Sequence, residues 1–381
     1  MCHRETARES AVSVEIRVPY TGDSAMNRTF SSLMSLFVLA SASALAGDAK
    51  IAAGEWRNLT EDFLKVSGKR DFRVSLAVDR ATGNLLVSRW TTGVWMSTDQ
   101  GKTFTRADGE KVSVGGPISP HALLVSPDGG KLAAFNMNNK PGPCGYSLDQ
   151  GKTWQSFDSV GRNWDYGAVD WNSKVVLAVR HEDQGVHLST DLGQTWTALE
   201  IKRRAITGIG VLGAKELVFS RDGKIEHSAD AGKTWSRVAD YEGTGPVQVF
   251  KGVAYWLANK RDKSQSIGQV IVSTDKGKTW QTLGNPFGDR ALAGPCFGKD
   301  EKHIVVSTPK GIVETRDAGA TWQLVTSYPT DAPEIALNKD RYGELFPSIG
   351  YDAAHNVYYL YLVNTNPKQW GEGPLLKYAP R

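Results

Sequence analysis

The octapeptide at residues 273–280 (STDKGKTW) is one of six related segments, and their recurrence decides the fold. Each segment begins with Ser or Thr, carries Asp third and Gly fifth, and ends in Thr followed by an aromatic residue. The other five are 97–104 (STDQGKTF), 147–154 (SLDQGKTW), 189–196 (STDLGQTW), 228–235 (SADAGKTW) and 315–322 (TRDAGATW). Successive copies lie 39 to 50 residues apart. A period of this length indicates a repeat architecture in which each repeat forms one structural unit.

The residue types in the octapeptide suit a tight turn between two β-strands. The Asp carboxylate can accept hydrogen bonds from N–H groups of the turn, and Gly adopts positive φ without strain. Thr then begins the next strand, and the aromatic ring buries a large apolar surface beneath the turn. We therefore interpret the six aspartates as structural and not as acid/base catalysts: Asp99, Asp149, Asp191, Asp230, Asp275 and Asp317.

The octapeptide resembles the Asp box, or bacterial neuraminidase repeat, of sialidases and other β-propeller proteins. The resemblance covers about residues 70–325 of the chain. It implies a β-propeller of the sialidase-like superfamily, and it says much less about activity, because one fold hosts many functions.

The strand pattern around the boxes predicts blades of four antiparallel strands. In the first unit the strands are predicted at 72–79, 84–88, 93–97 and 103–106. Later second strands are predicted at 131–135, 175–179, 216–220, 253–256 and 303–307.

A seventh unit without a box is predicted after the last octapeptide. Its strands are expected at 346–352, 357–363 and 375–378, and the fourth is missing at the C-terminus. The segment 55–59 (EWRNL) resembles the strands that follow the boxes, so it can complete the last blade and remove both free sheet edges. We expect an all-β, seven-bladed propeller; the alternative is a six-bladed one with 345–381 as an appendage.

The N-terminal residues are excluded from the fold. The apolar segment 33–46 is too short to span a bilayer and ends in Ala44-Leu45-Ala46, the small-x-small pattern of a secretory cleavage site. We interpret 1–25 as a spurious extension, 26–46 as a cleaved signal peptide and 47–381 as a single propeller domain. The protein is then expected to be secreted or periplasmic, without stable membrane insertion, and monomeric.

Composition limits the ligand classes. The chain has 381 residues, 39 Gly, 12 Trp and a net charge of +4, without a Lys/Arg run interleaved with stacking aromatics. We therefore expect no nucleic-acid partner and a slight preference for anions. No Walker loop, HExxH or CxxC pair occurs, so no cofactor or metal is predicted. Cys144 and Cys296 can pair in an oxidising compartment, which the sequence leaves open.

Candidate site residues follow from propeller geometry, because the loops that enter first strands and those that join second to third strands converge on one face. Side chains suited to acid/base catalysis there are His121, Asp165, Tyr166, His181 and Glu182. Side chains suited to binding carboxylate or sulfate, or to stacking on sugar rings, are Arg73, Arg89, Trp90, Trp164, Arg180, Arg221 and Arg290.

The match to sialidase chemistry is partial. The segment 72–74 (FRV) resembles the start of the family's Phe/Tyr-Arg-Ile-Pro motif, whose arginine binds the substrate carboxylate, but Ser75 replaces the proline. Phe346 stands where the family's tyrosine nucleophile is expected, and a phenyl ring has no oxygen with which to attack.

The sequence therefore predicts a carbohydrate-binding propeller that processes an acidic glycan (uronate, sulfated or sialylated) as a glycoside hydrolase or polysaccharide lyase. The alternative is a non-catalytic platform that binds protein or polysaccharide.

Overall fold

Seven antiparallel sheets follow one another along the chain in the computed structural model. The structure describes residues 54–68, 74–89, 93–108, 121–135, 144–157, 164–180, 185–201, 206–262, 265–329, 348–362 and 373–381. Gly47–Arg381 forms one compact unit, and Met1–Ala46 lies outside the described residues. The signal peptide and the extension before it stay predictions.

The sheets are the blades of a propeller, numbered here from the first complete one. Blade 1 contains β2 (Val74–Val78), β3 (Leu85–Arg89), β4 (Gly93–Ser97) and β5 (Thr105–Arg106). Blade 2 contains β6 (Leu123–Val125), β7 (Leu132–Ala134), β8 (Gly145–Ser147) and β9 (Gln155–Ser156). Blade 3 contains β10 (Trp164–Asp170), β11 (Val175–Arg180), β12 (Val186–Ser189) and β13 (Thr197–Leu199). Blade 4 contains β14 (Ile206–Val211), β15 (Leu217–Arg221), β16 (Lys224–Ser228) and β17 (Ser236–Ala239).

Among the remaining blades, blade 5 has an interrupted first strand, and blade 7 combines strands from the two ends of the propeller sequence. Blade 5 contains β18 (Glu242–Gly243), β20 (Gln248–Phe250), β21 (Val253–Asp262), β22 (Gln265–Ser273) and β23 (Gln281–Thr282), and β19 (Gly245–Pro246) lies between its first two segments. Blade 6 contains β24 (Ala293–Phe297), β25 (Ile304–Thr308), β26 (Gly311–Thr315) and β27 (Gln323–Thr326). Blade 7 contains β28 (Ser348–Asp352), β29 (Val357–Tyr361), β30 (Leu375–Pro380) and β1 (Gly54–Asn58). The predicted seven-bladed, four-stranded architecture is confirmed.

The N-terminal strand completes the last blade, as the sequence predicts. β1 pairs antiparallel with β30, from Gly54 opposite Pro380 to Asn58 opposite Leu376. The ring of Trp56 packs on that of Tyr378 at 5.1 Å between centroids. Because the two chain regions share one sheet, blade 7 has no missing strand and the ring is closed.

The core lies between neighbouring blades. In blade 1, Leu85 and Val87 are fully buried and share one apolar cluster with Tyr359 and Leu375 of blade 7. The second strands are buried on both faces, which explains why β11 begins with an unbroken apolar run, VVLAV.

One short helix, α1 (Thr60–Ser67), was not predicted from the sequence. Its Phe63 is fully buried and packs edge-on against Phe104, the aromatic residue of the first box, with 4.9 Å between centroids. The helix therefore fastens the N-terminal segment to blade 1.

The first strand of blade 5 is interrupted, which the sequence did not predict either. β18 and β20 pair with β21, while β19 leaves the blade and pairs in parallel with β14 of blade 4. A Cβ on Gly208 would lie 2.6 Å from the carbonyl oxygen of Gly245, so this approach requires glycine at position 208. Blades 4 and 5 are consequently joined by backbone hydrogen bonds.

Candidate functional site

The first strands of the blades surround a narrow central channel. A cavity of about 120 Å³ lies among β2, β6, β24 and β28. We call the end where first strands begin the mouth face, and the end that carries the six box turns the box face. Ligand pockets usually have several hundred Å³, so this cavity is too small for a sugar chain. The predicted site residues belong to strand ends at the mouth face.

Four of the predicted site residues lie outside the described residues: Arg73, Trp90, His181 and Glu182. Phe346, on which the comparison with the sialidase nucleophile depends, also lies outside them. Their roles stay predictions.

His121 and Tyr166 come together at the mouth face. Their rings meet at 66°, with 6.3 Å between centroids. A Cβ on Gly245 would lie 2.5 Å from the His121 ring, so the β19 segment packs directly on the imidazole. Burial lowers the pKa of His121 to about 4, and its imidazole is therefore neutral at neutral pH. A neutral imidazole can accept a proton, but a pKa of about 4 makes it a weaker base than a solvated histidine, and the predicted acid/base role of His121 stays a prediction.

Blade 3 places three more candidates beside this pair. Trp164, Asp165 and Tyr166 are consecutive in β10, and Arg180 lies opposite Trp164 in β11. A register shift between Trp164 and Tyr166 marks a β-bulge at Asp165. Bulges change the direction in which a side chain points. Tyr166 is 8% exposed, and its hydroxyl donates to the carbonyl oxygen of Ile206 at 3.4 Å.

Two of the predicted binding residues pack against other parts of the protein. Trp164 is fully buried, with its ring 4.5 Å from that of Trp196 between centroids, so no ring face is available to a sugar. Arg89 is 1% exposed and donates to the carbonyl oxygen of Ser67 at the end of α1. Sequence position placed both residues at the correct end of their strands but could not show which way their side chains pack.

Two other arginines lie on different blades. Arg221 forms an ion pair with Glu226 at 3.0 Å within its own hairpin in blade 4. Burial lowers the pKa of Arg290, and the negative charge of Glu242 opposes that shift. The candidate arginines therefore lie on different blades, and among the described candidates His121 and Tyr166 are in ring contact, with Arg180 in the strand next to that of Tyr166.

Arg80, which the sequence did not single out, closes part of the channel at the box face. Its guanidinium donates to the carbonyl oxygens of Gly298 at 2.7 Å and Lys299 at 2.5 Å, in blade 6. It also lies over the ring of Phe250 in blade 5, 4.7 Å from the centroid. One side chain of blade 1 thus connects three blades.

A larger cavity, of about 510 Å³, opens on the box face. The ends of the first strands of blades 2 to 5 form it, together with Lys276 of the fifth box. This cavity was not predicted from the sequence, because the boxes were interpreted only as turns. One sequence feature that could have indicated this cavity is Trp171, a tryptophan outside the boxes in the turn between a first and a second strand.

The box carboxylates are fully engaged in their own turns. In the fourth box, Asp230 accepts from the backbone N–H of Thr234 at 2.9 Å and from the hydroxyls of Ser228 at 2.8 Å and Thr234 at 2.6 Å. The same three contacts occur at Asp99, Asp149, Asp191, Asp275 and Asp317. The carboxylates thus have the turn-forming contacts that the motif analysis expected.

A second set of titratable side chains lies between blades 6 and 7, far along the chain from the mouth candidates. Glu314 accepts hydrogen bonds from Tyr358 at 2.8 Å and Arg316 at 2.8 Å, and lies 2.8 Å from the His303 ring nitrogen. Burial alone would raise the pKa of Glu314, but these hydrogen bonds hold it below its usual value. This network joins two blades and requires no ligand.

Candidate metal ligands and cysteines can be located only in the part of the chain that the structure describes. That part contains no cluster of three or more His, Cys, Asp or Glu side chains suited to a metal ion. In the same residues Cys144 and Cys296 form no disulfide bond, and Cys144 is buried. Within the same residues no helix is long and apolar enough to cross a bilayer.

Comparison with known proteins identifies the class and not an individual family. No family model matches the chain. A xyloglucanase from Paenibacillus sp is 27% identical over 160 residues, which is 34% of this chain and 15% of the relative. The chain thus spans much less than two thirds of the curated relative it matches.

Solved structures that are similar to this chain match it at low identity. The Cps50 (Swd1) β-propeller domain of Myceliophteria thermophila has a TM-score of 0.50 at 12% identity, over 82% of this chain and 97% of that one. YCF48 from Cyanidioschyzon merolae has a TM-score of 0.45 at 11% identity, over 85% and 98%. The GH74 xyloglucanase from Xanthomonas campestris has a TM-score of 0.34 at 13% identity, over 83% and 70%. The chain is a seven-bladed β-propeller, and the likeness to the Cps50 (Swd1) β-propeller domain concerns its fold alone.

Proposed function

We propose that this propeller binds a glycan at the mouth face, beside His121 and Tyr166. The observation that carries the proposal is the contact between these two rings, with Arg180 in the adjoining strand. The regional sequence similarity to a xyloglucanase supports a carbohydrate ligand. Binding at one end of a propeller channel also agrees with the usual placement of ligand sites in concave, largely preformed regions.

The charge of the candidate group favours an acidic saccharide. Arg180 can bind a carboxylate or sulfate in a bidentate manner, while the neutral imidazole of His121 adds no positive charge of its own. We therefore expect uronate-bearing and sulfated glycans to be better candidates for the ligand than sialylated ones, because Phe346 stands where sialidases have their tyrosine nucleophile.

Elimination is the reaction in which the described pair can be assigned roles. Hydrolysis generally uses two carboxylates, and of the two predicted ones only Asp165 lies in the described residues. In elimination from a uronate, His121 would accept the proton from C5 and the tyrosine hydroxyl would give a proton to the departing O4. A double bond then forms between C4 and C5, and the glycosidic C4–O4 bond breaks.

The test measures binding and turnover separately. Calorimetry with uronate, sulfated, sialylated and xyloglucan oligosaccharides should give saturable binding of an acidic member, and an unsaturated product detected by ultraviolet absorbance would indicate elimination. His121→Gln should weaken binding about tenfold or more.

A matched control is His227→Gln, since His227 is likewise buried at 6% exposure but lies in the third strand of blade 4. Equal losses in both variants would mean that His121 serves only the fold. Saturable binding with no product would leave the platform function predicted as the alternative, and no binding of any glycan would overturn the proposal.

A further inference from the structure

The box-face cavity is built from rigid parts of four blades. Its walls are the ends of β6, β10 and β14 and the segment 246–252 of blade 5. Its volume of about 510 Å³ falls within the range usual for small-ligand sites. The opening exists because β19 leaves blade 5 for blade 4, so that the first strand of blade 5 returns to its own sheet only at Gln248.

The inner wall is apolar and partly open to solvent. Leu124, Val169, Leu212 and Val249 contribute aliphatic surface, and Val249 is 40% exposed, one of few large apolar side chains this accessible in the described residues. Exposed apolar surface inside a cavity is a recurrent mark of a binding site.

An aromatic ring is held at the rim by its own turn. Trp171 follows Asp170, whose carboxylate accepts from the backbone N–H of Asn172 at 3.1 Å and from the hydroxyl of Ser173. These bonds fix the turn before any ligand binds, which reduces the ordering cost of binding.

Lys276 places a solvent-exposed positive charge at the rim of the cavity. Its ammonium forms no ion pair with a described residue, whereas Lys251 pairs with Glu301 at 2.8 Å and Lys131 lies 3.6 Å from Asp128. In the box, Lys276 has φ of 61°, and the equivalent residues Ala231 and Ala318 have φ of 60° and 58°. Alanine therefore fits this position, and the lysine is available for another role.

We propose that the box-face cavity binds a small amphipathic organic anion. The apolar body of the ligand would lie on the wall formed by Val169, Leu212 and Val249, against Trp171, with its carboxylate or sulfonate at Lys276. The wall and the charge of Lys276, whose side chain is exposed at the rim, together favour this class over neutral sugars, since a charge-assisted contact with an anion is stronger than a neutral hydrogen bond. The site is separate from the mouth face and independent of the glycan proposal.

The test uses 8-anilinonaphthalene-1-sulfonate with the full chain and follows dye fluorescence and energy transfer from tryptophan. Saturable binding at one dye per chain is expected. Lys276→Ala should raise Kd about tenfold, and Val249→Asp should abolish binding. The uncharged N-phenyl-1-naphthylamine, which has the same aromatic body, should bind weakly and with the same affinity in Lys276→Ala.

The matched controls are Lys152→Ala and Leu148→Asp, in the second box. Leu148 is 52% exposed and lies outside the cavity, so both controls should keep the native Kd. Absence of saturable binding, an unchanged Kd in Lys276→Ala and Val249→Asp, or equal affinity for the uncharged dye would overturn the proposal. Loss of glycan binding in His121→Gln would not affect these outcomes, so the two proposals fail separately.

Discussion

Single side chains connect blades that are distant in sequence, and Arg80 is the clearest example. Its two carbonyl acceptors lie 218 and 219 residues further along the chain, and the cation also covers Phe250. Each hydrogen bond from a charged donor stabilises a fold modestly, but removal of the donor leaves its acceptors without a hydrogen-bond partner. A turn residue of blade 1 therefore contributes to the stability of blades 5 and 6.

Arg80→Ala should lower the free energy of unfolding by about 1–3 kcal/mol, because the Gly298 and Lys299 carbonyls lose their charged donor. Urea unfolding measures the change. Arg237→Ala is the control, since the exposed Arg237–Asp240 pair should contribute less than about 1 kcal/mol. Equal effects in the two variants would contradict the connecting role of Arg80.

The turns are the elements in which local sequence determined structure most completely. The predicted strand 93–97 coincides with β4, and the predicted second strands of blades 2 to 6 begin within one residue of β7, β11, β15, β21 and β25. Each box encloses its own hydrogen bonds, so its geometry depends on eight adjacent residues. α1, β19 and the box-face cavity depend instead on contacts between blades, such as the approach of Gly245 to Gly208, and sequence periodicity carries no signal for them.

The same division applies to the candidate site. Sequence indicates which strand ends belong to the mouth face, because strand order determines them. It could not distinguish Trp164, which packs on Trp196, from Tyr166, which meets His121, because residues two apart in a regular strand share a face and the bulge at Asp165 interrupts that alternation.

Acid should weaken the boxes together. Hydrogen bonds from Thr234 and Ser228 lower the pKa of Asp230 to about 2, and the pKa values of Asp99, Asp191 and Asp275 are also lowered to about 2. An unfolded Asp titrates near 3.9, so the stabilisation is fully present above about pH 5 and is lost as pH falls through about 2. Tm measured from pH 7 to pH 2 should fall steeply below about pH 4.

Asp230→Asn should lower Tm at pH 7 and reduce the further loss on acidification, because one ionisable acceptor is removed. Asp222→Asn, in the exposed blade 4 hairpin, is the control and should follow the native curve. A native pH dependence in Asp230→Asn would show that the box carboxylates do not cause the acid sensitivity.

The stability of the propeller depends on closure of the ring. β1 supplies the outer strand of blade 7, and Trp56 also donates to the carbonyl oxygen of Ser327 in blade 6 at 3.2 Å. Without β1, the edge of β30 is free to pair with other chains.

Deletion of residues 1–58 should lower Tm and cause aggregation, because β30 loses its partner strand and α1 loses the strand that precedes it. Deletion of 1–46 retains β1 and is the control. Light scattering and thermal unfolding compare the two. Similar stability of both truncated chains would mean that β1 is not needed for closure.

The pairing of Gly54 with Pro380 has a consequence for chain order. Because the two ends of the propeller are neighbours in one sheet, a short linker can join residue 381 to residue 54, and the ring can be opened elsewhere. The hairpin at Asp222 and Gly223 is suited to new termini, since a Cβ on Gly223 would meet no atom within 4 Å. In such a circular permutant blade 7 would be made from four consecutive strands, and blade 4 would become the one that joins the beginning of the chain to its end.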